Sequence, residues 1–290
     1  MPPRKPSPVG AHVFVGPGLL SAGVSGGLGY AREVGAEAVQ VFDSNPRAWA
    51  IGAGDPAADE AFRLACTRSR LRVFLHSPYL VNFGSPTETT RTRSVLAVRA
   101  ALARGRRLGA LGVVVHAGSA VVGGRDPALR LLRESLLPLL DELGGDDPKV
   151  LIEPTAGGGQ PLAAKVDDLS SYFAALDHHP RLGVCLDTCH AFAAGHDLAA
   201  PGGVRTMLTA LVKAVGRGRL QLVHANDSKD GVGSGRDRHT SIGAGRIGAE
   251  PFAELFRHPA TRDVPVIVET PGRAADQARD IALLKSLRDR

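Results

Sequence analysis

The sequence has 290 residues, 43% of them hydrophobic, 22% charged and 4% aromatic, with a formal net charge of +6. That apolar share supports a packed core and excludes a disordered chain, while 35 glycines and 20 prolines without a fixed period exclude a collagen-like or low-complexity one. Three cysteines (Cys66, Cys185, Cys189) cannot build a disulfide scaffold, and no stretch reaches the roughly 20 apolar residues of a membrane span. The odd cysteine count fits a reducing cytosol, so a cytoplasmic protein is expected. The positive excess suits a polyanionic partner, although a GC-rich genome also enriches arginine.

Taken from the N-terminus, Arg4 and Lys5 mark a short basic tail over residues 1–8, and residues 9–290 read as one domain. The uncharged segment that follows is too rich in glycine, and carries His12, to serve as the apolar stretch of a secretory signal. Short β-branched or apolar runs then alternate with longer amphipathic stretches. Strands are expected at Gly10–Val15, Ala36–Phe42, Arg72–His76, Gly112–His116, Lys149–Glu153, Leu182–Asp187, Leu220–His224 and Val264–Glu269. Helices are expected between them, near 19–34, 55–70, 87–107, 126–143, 163–177, 202–215, 249–257 and 274–288. Eight alternations with no linker predict an α/β fold, a single closed (β/α)8 TIM barrel.

The last six strands end in side chains that bind metals: His76, His116, Glu153, Asp187, His224 and Glu269. Barrel strands converge at their C-termini, where barrel active sites are built. One such residue alone reads as a hydrogen-bonded core histidine or a helix-capping carboxylate. Six in register do not. His190 lies three residues beyond Asp187, within one turn, and Asp237 and His239 are two apart, on one face of an extended segment. Mixed oxygen and imidazole donors suit Zn²⁺ or Mn²⁺. Four carboxylates over-compensate one divalent ion, whereas three ions would leave about +2. Such a mouth suits a phosphodiester, whose oxygens gain charge during hydrolysis, and two metals roughly 4 Å apart can clamp attacking and leaving oxygens.

These residues sit in strings that resemble the endonuclease IV family of apurinic/apyrimidinic site endonucleases. The strings include Val41–Trp49, His76–Asn82, His116–Ser119, Glu153–Gly157, Gly183–Gly195, His224–Ser228, Gly233–His239 and Val268–Pro271. The resemblance runs from about Val9 to the C-terminus and implies a TIM barrel with three Zn²⁺ per chain, Mn²⁺ being suited to one or more sites. It implies that His76, His116 and Glu153 hold one zinc, and that Glu153 bridges to a second held by Asp187, His224 and Glu269. His190, Asp237 and His239 are implied to hold the third. Glu153 and Glu269 are thereby the implied catalytic residues. A metal-bridging hydroxide would attack the phosphorus 5′ to an abasic sugar, leaving a 3′-hydroxyl and a 5′-deoxyribose phosphate.

The resemblance also implies double-stranded DNA containing abasic sites as partner, contacted by Arg47, Tyr79 and Leu80. An arginine beside an aromatic and a leucine wedge can unstack a base step, which costs less where a base is already missing. No membrane contact and no obligate protein partner are expected, so the chain should act as a monomer in the bacterial cytosol, at the nucleoid. Two features depart from the family: Pro154 stands where it usually has Asn, and the loop Phe14–Gly18 lacks its Gly-Gly-Leu run.

A sugar isomerase or epimerase on a related barrel is the alternative, using Glu, Asp, His and Glu for a single metal. It leaves His76, His116, His190, Asp237 and His239 without a role. A non-catalytic DNA-binding barrel gives the ligand-type residues none at all. Gly243–Gly248 satisfies G-x-G-x-x-G but follows a ligand loop rather than a strand, and Gly23–Gly27 satisfies G-x-S-x-G within an expected helix. Cys185 and Cys189 flank Asp187 and read as buried packing residues.

Overall fold

The computed structural model describes residues 6–13, 23–42, 45–52, 54–157 and 159–290. The loop Phe14–Gly18, the first residues of the helix expected near 19–34, and Asp43 and Ser44 lie outside that set. The strands are β1 Val9–Val13, β2 Ala38–Phe42, β3 Arg72–His76, β4 Gly112–His116, β5 Lys149–Glu153, β6 Leu182–Asp187, β7 Leu220–His224, β8 Asp227–Ser228, β9 His239–Thr240 and β10 Val266–Val268. Eight of them close into a barrel ordered β1-β10-β7-β6-β5-β4-β3-β2, all neighbours parallel, while β8 and β9 form a separate antiparallel ribbon. The helices are α1 Gly23–Glu33, α2 Pro56–Ser69, α3 Glu88–Leu108, α4 Arg125–Asp141, α5 Leu169–Ala175, α6 Thr188–Ala193, α7 Gly203–Val215, α8 Glu250–Arg257 and α9 Ala274–Arg288. The chain therefore forms the expected (β/α)8 barrel. Among the described residues no helix is long and apolar enough to cross a membrane.

Local chemistry accounts for the boundaries. Asp55 accepts the Ala57 N–H to open α2, and Gly109 at φ 71° closes α3 in the left-handed region that glycine tolerates. The last strand is shorter than expected at both ends. Pro265 has no N–H to give a ladder, and the Glu269 N–H donates to Asn226 Oδ1 at 2.8 Å instead of to a neighbouring strand. The helix expected over 163–177 starts late because Asp168 Oδ2 takes the Ala164 and Lys165 N–H groups at 3.0 and 2.9 Å, stabilising a turn before it. Helix α6 and the β8–β9 ribbon were not among the expected elements.

The barrel interior is arranged in layers, and the strand period of two explains them. Ala38, Phe74, Val114, Leu151, Cys185, Leu222 and Ile267 form a separate buried cluster, one from each of seven strands. Their sequence neighbours, such as Val73, Leu75, Val113, Val150 and Val223, point outward into the larger core beneath the helices. Burial of each large apolar side chain is worth about 1.5–3 kcal/mol, so the inner cluster is a plug and not a channel. Two residues further along each strand the inward position turns polar: Gln40, His76, His116, Glu153, Asp187, His224 and Glu269. β1 adds His12 by the same parity. Each strand supplies one polar group to the layer above the plug.

At the other end, where the strands begin, Ser7 Oγ donates to the Thr261 carbonyl and the Val266 N–H donates to the Pro8 carbonyl, both at 2.8 Å. Glu37 accepts the Val9 N–H at 2.9 Å and the Arg288 guanidinium at 2.7 Å.

Candidate metal centre at the barrel mouth

All nine predicted ligand residues meet at the C-terminal mouth. His76, His116, Glu153, Asp187 and His224 are the terminal residues of β3 to β7, and Glu269 follows β10 directly. Asp187 also caps α6: its Oδ1 accepts the His190 N–H at 2.9 Å, which turns His190 back over the mouth. The β8–β9 ribbon carries His239 into the same space, with Asp237 just before it.

Five groupings result among the described residues, within each of which the ligand atoms lie no more than 4.8 Å apart: His76, His116 and Glu153; Glu153, Asp187, His224 and Glu269; Asp187, His190 and His239; and two that include a buried thiol, Glu153, Cys185 and His224, and Cys189, Asp237 and His239. Glu153 joins the first two through different oxygens. Its Oε2 is 3.3 Å from His76 Nε2 and 3.5 Å from His116 Nε2, and its Oε1 is 3.1 Å from His224 Nδ1. His224 Nδ1 is also 3.2 Å from Glu269 Oε2 and 3.9 Å from Asp187 Oδ2. Asp237 meets His190 Nε2 at 3.1 Å through Oδ2 and His239 Nε2 at 2.9 Å through Oδ1.

These separations test whether the donors suit a metal. A tetrahedral zinc ion with bonds of about 2.0–2.1 Å sets its ligand atoms roughly 3.3 Å apart. The observed values scatter around that spacing. His239 Nε2 is buried and lies 2.9 Å from Asp237 Oδ1 without an aligned hydrogen bond to it. The outer hydrogen bonds fix the tautomers accordingly. His76 Nδ1–H donates to the Ser77 carbonyl at 2.7 Å, His190 Nδ1–H to the Pro154 carbonyl at 3.2 Å, and His224 Nε2–H to Gln40 Oε1 at 2.9 Å. In each ring the other nitrogen faces the cluster. The donor set fits divalent zinc. Pro154, the departure noted in sequence, supports His190 through its main chain, which any residue there provides.

The charges are closely balanced. Burial alone would raise the Glu153 carboxyl, but His224, His190 and His76 around it hold it well below its usual range. Glu269 and Asp237 are likewise lowered, against burial, by His224 and His12 in the first case and by His190 and His239 in the second. Burial would lower His239, yet Asp187 and Asp237 raise it to about 9, whereas burial dominates at His116 and takes it down to about 4. Glu153, Glu269 and Asp237 therefore stay ionised, and their charge favours a cation among them.

Three contributors escaped the sequence reading. Gln40 donates to Glu269 Oε1 at 2.8 Å while accepting from His224, and His12 Nδ1 lies 2.9 Å from the same Glu269 oxygen. Asn226 donates to Asp187 Oδ2 at 2.7 Å and accepts the Glu269 N–H. His12 and Gln40 could have been found by extending the inward parity to β1 and β2, and Asn226 by extending it two residues beyond His224.

The loop residues differ among themselves. Tyr79 is 46% exposed, stacks on His116 with ring centroids 5.3 Å apart, and meets Phe42 edge-on at 5.4 Å. Leu80 beside it is 38% exposed. The Tyr79 N–H donates to the Pro46 carbonyl at 2.9 Å, tying this loop to the one that bears the exposed Arg47. Trp49 instead packs against the core. All three cysteines are buried free thiols. A cavity of about 640 Å³, lined by Arg72, Leu220 and Val264, opens at the strand starts and contains none of the nine.

Residues 28–287 match the family model of the xylose isomerase-like TIM barrel. The chain is 57% identical to a probable endonuclease 4 of Streptomyces coelicolor over 98% of this chain and 96% of that one. It is 38% identical to a probable endonuclease 4 of Methanoculleus marisnigri over 91% of this chain and 92% of that one. Among solved structures, endonuclease IV from Thermus thermophilus superposes with a TM-score of 0.83 at 34% identity, covering 99% of each chain. A D-tagatose 3-epimerase-like protein shares the fold alone, with a TM-score of 0.70 at 17% identity over 97% of each chain. The chain belongs to the endonuclease IV family of nucleases, carried on a xylose isomerase-like TIM barrel.

Proposed function

We propose that the chain is a zinc-dependent DNA repair endonuclease that hydrolyses the phosphodiester 5′ to an abasic site, leaving a 3′-hydroxyl and a 5′-deoxyribose phosphate. The observation that carries this reading is the convergence of nine His, Asp and Glu side chains at near-tetrahedral ligand spacings on one rim. His76, His116 and Glu153 would hold one ion, Glu153, Asp187, His224 and Glu269 a second, and His190, Asp237 and His239 a third. Bound zinc supplies Lewis acidity, lowering the pKa of water and offsetting charge on the phosphodiester oxygens.

The chain's own residues supply the rest. Gln40 and His12 hold Glu269 Oε1, so Oε2 is the oxygen left to face the cluster. Glu153, 1% exposed, keeps both oxygens toward histidines and away from bulk water. Tyr79 and Leu80 present an exposed aromatic–aliphatic edge beside the metal groups, and Arg47 lies on the loop bonded to theirs. That trio suits insertion beside a lesion whose base is already gone. The unit acting on duplex DNA is a monomer in the cytoplasm, with one catalytic domain over residues 9–290 to which Ser7 and Pro8, expected in the basic tail, are also bonded.

The test is cleavage of an abasic duplex, with end mapping, before and after a strong chelator. We expect incision 5′ to the site, loss with chelator and recovery with zinc. Incision on the 3′ side, or chelator-resistant incision, would overturn the reading. The sugar-epimerase alternative uses the Glu153, Asp187, His224 and Glu269 group alone, and predicts ketose epimerisation with one metal and no incision.

A further inference from the structure

We propose that Asp227 is a positioning residue for the Asp237–His239 pair, acting by clamping the loop 241–248 onto the β8–β9 ribbon; this rests on the three-metal reading. Asp227 is fully buried, and its carboxylate accepts five backbone N–H groups. Oδ1 takes those of Ser228 at 2.8 Å and Ile247 at 2.9 Å, and Oδ2 takes those of Gly243, Gly245 and Gly248 at 3.0, 3.0 and 3.2 Å. A concave run of main-chain N–H groups is an anion nest. Here the anion comes from the protein itself.

This accounts for the G-x-G-x-x-G string over Gly243–Gly248, which resembles a phosphate-binding loop but does not follow a barrel strand. A Cβ at Gly245 would lie 2.4 Å from both Asp227 Oδ1 and the Ser228 carbonyl, so the loop closes onto the carboxylate with no room for a side chain. Gly243 and Gly248, both at φ 82°, give the loop its curvature.

The clamp lies next to chemistry. Asp227 pairs with Thr240 and Ser228 with His239, so the carboxylate grips the loop that begins immediately after the ligand-bearing strand. The open end of the ribbon is thereby fixed beside His239, whose Nε2 must stay near Asp237 and within 3.6 Å of Asp187. Ile242 has a separate tether, its N–H donating to Asp280 Oδ1 at 3.1 Å. Loss of the clamp therefore loosens the loop without detaching it. In Asp227→Asn an NH2 group replaces one oxygen and confronts main-chain donors in place of accepting from them.

The experiment compares wild type, Asp227→Asn and Gly245→Ala, loaded with zinc and gel-filtered. Zinc per chain, amide hydrogen exchange over 237–248 and thermal unfolding are measured on each. We expect faster exchange across 237–248 and zinc falling from three to two per chain in both variants, with affinity for the third zinc weaker by roughly 10–100-fold. The remaining two ions and cooperative unfolding should persist. Unchanged exchange at 237–240, or three zinc ions retained at wild-type affinity despite faster exchange, would overturn the positioning role. Fewer than three zinc ions in wild type would sink the three-metal reading instead; exchange at 237–240 then decides the clamp alone.

Discussion

Within the barrel, two layers of side chains come from the same strands two residues apart, and they follow opposite rules. The lower layer, Phe74, Val114, Leu151, Cys185, Leu222 and Ile267 with Ala38, is closed by apolar packing. The upper one, His76, His116, Glu153, Asp187, His224 and Glu269 with Gln40 and His12, is held by hydrogen bonds and opposing charges. His224 is as inaccessible as Leu151, while His116 and Glu269 at the rim keep some exposure. Polar groups survive that burial because each is satisfied by a neighbour, and clusters of ionised acids beside imidazoles are expensive to keep without a cation. The apolar layer makes the scaffold rigid. That rigidity lets the polar layer maintain ligand spacings.

Substitutions in the two layers should therefore separate function from stability. The largest effect is expected for Glu269→Gln, which should lower turnover on abasic duplex by on the order of 10³-fold, about 4 kcal/mol, with little change in DNA binding. Steady-state kinetics with a binding titration checks it, and full turnover in this variant would contradict the assigned role. Next is Leu151→Ala in the apolar layer, expected to cost about 3 kcal/mol in chemical denaturation while the surviving folded protein keeps its zinc content. Loss of metal with no loss of stability would reverse the assignment of the two layers. Gln40→Met keeps the volume but removes the link between His224 and Glu269, and should weaken zinc binding or activity about 10–100-fold. Competition with a chelator dye measures it, and wild-type affinity would show that the link is dispensable.

The smallest effect belongs to the opposite end of the barrel. Half-burial alone would raise the Glu37 carboxyl, but the Val9 N–H and the Arg288 guanidinium outweigh it and hold the carboxyl below its ordinary value. A lowered carboxyl contributes stability that is fully present above its unfolded pKa and is lost as pH falls through the folded one. Glu37→Gln should therefore cost about 1 kcal/mol or less at pH 7, discounted for solvent screening, with the gap from wild type closing as pH drops below about 4.5. Denaturation at pH 7 and pH 3 reads the sign, and a gap that widened in acid would refute it.

Much of this was legible in the sequence because parallel strands buried on both faces read as unbroken apolar runs. β3 through β7 were bounded correctly, with the five ligand-type residues that end them, whereas Glu269 lies just past the end of a shorter last strand. Asp237 and His239 were found by their spacing of two, although the ribbon that carries them is too short to give a periodic signal. His12 and Gln40 were missed because each is a lone polar residue inside an apolar run, where one exception resembles noise until the parity of eight strands is compared. Asp227 was hidden for a different reason. Four of its five partners are main-chain N–H groups some 16 to 21 residues away, and only the curvature of the glycine loop brings them to one carboxylate.

The most direct measurement is the zinc content of gel-filtered wild-type protein, determined by elemental analysis on the same sample used for abasic-duplex cleavage. Three zinc ions per chain, lost in parallel with cleavage as a chelator is titrated, is the expected result. Full cleavage by protein carrying one zinc or none would contradict the account of the mouth.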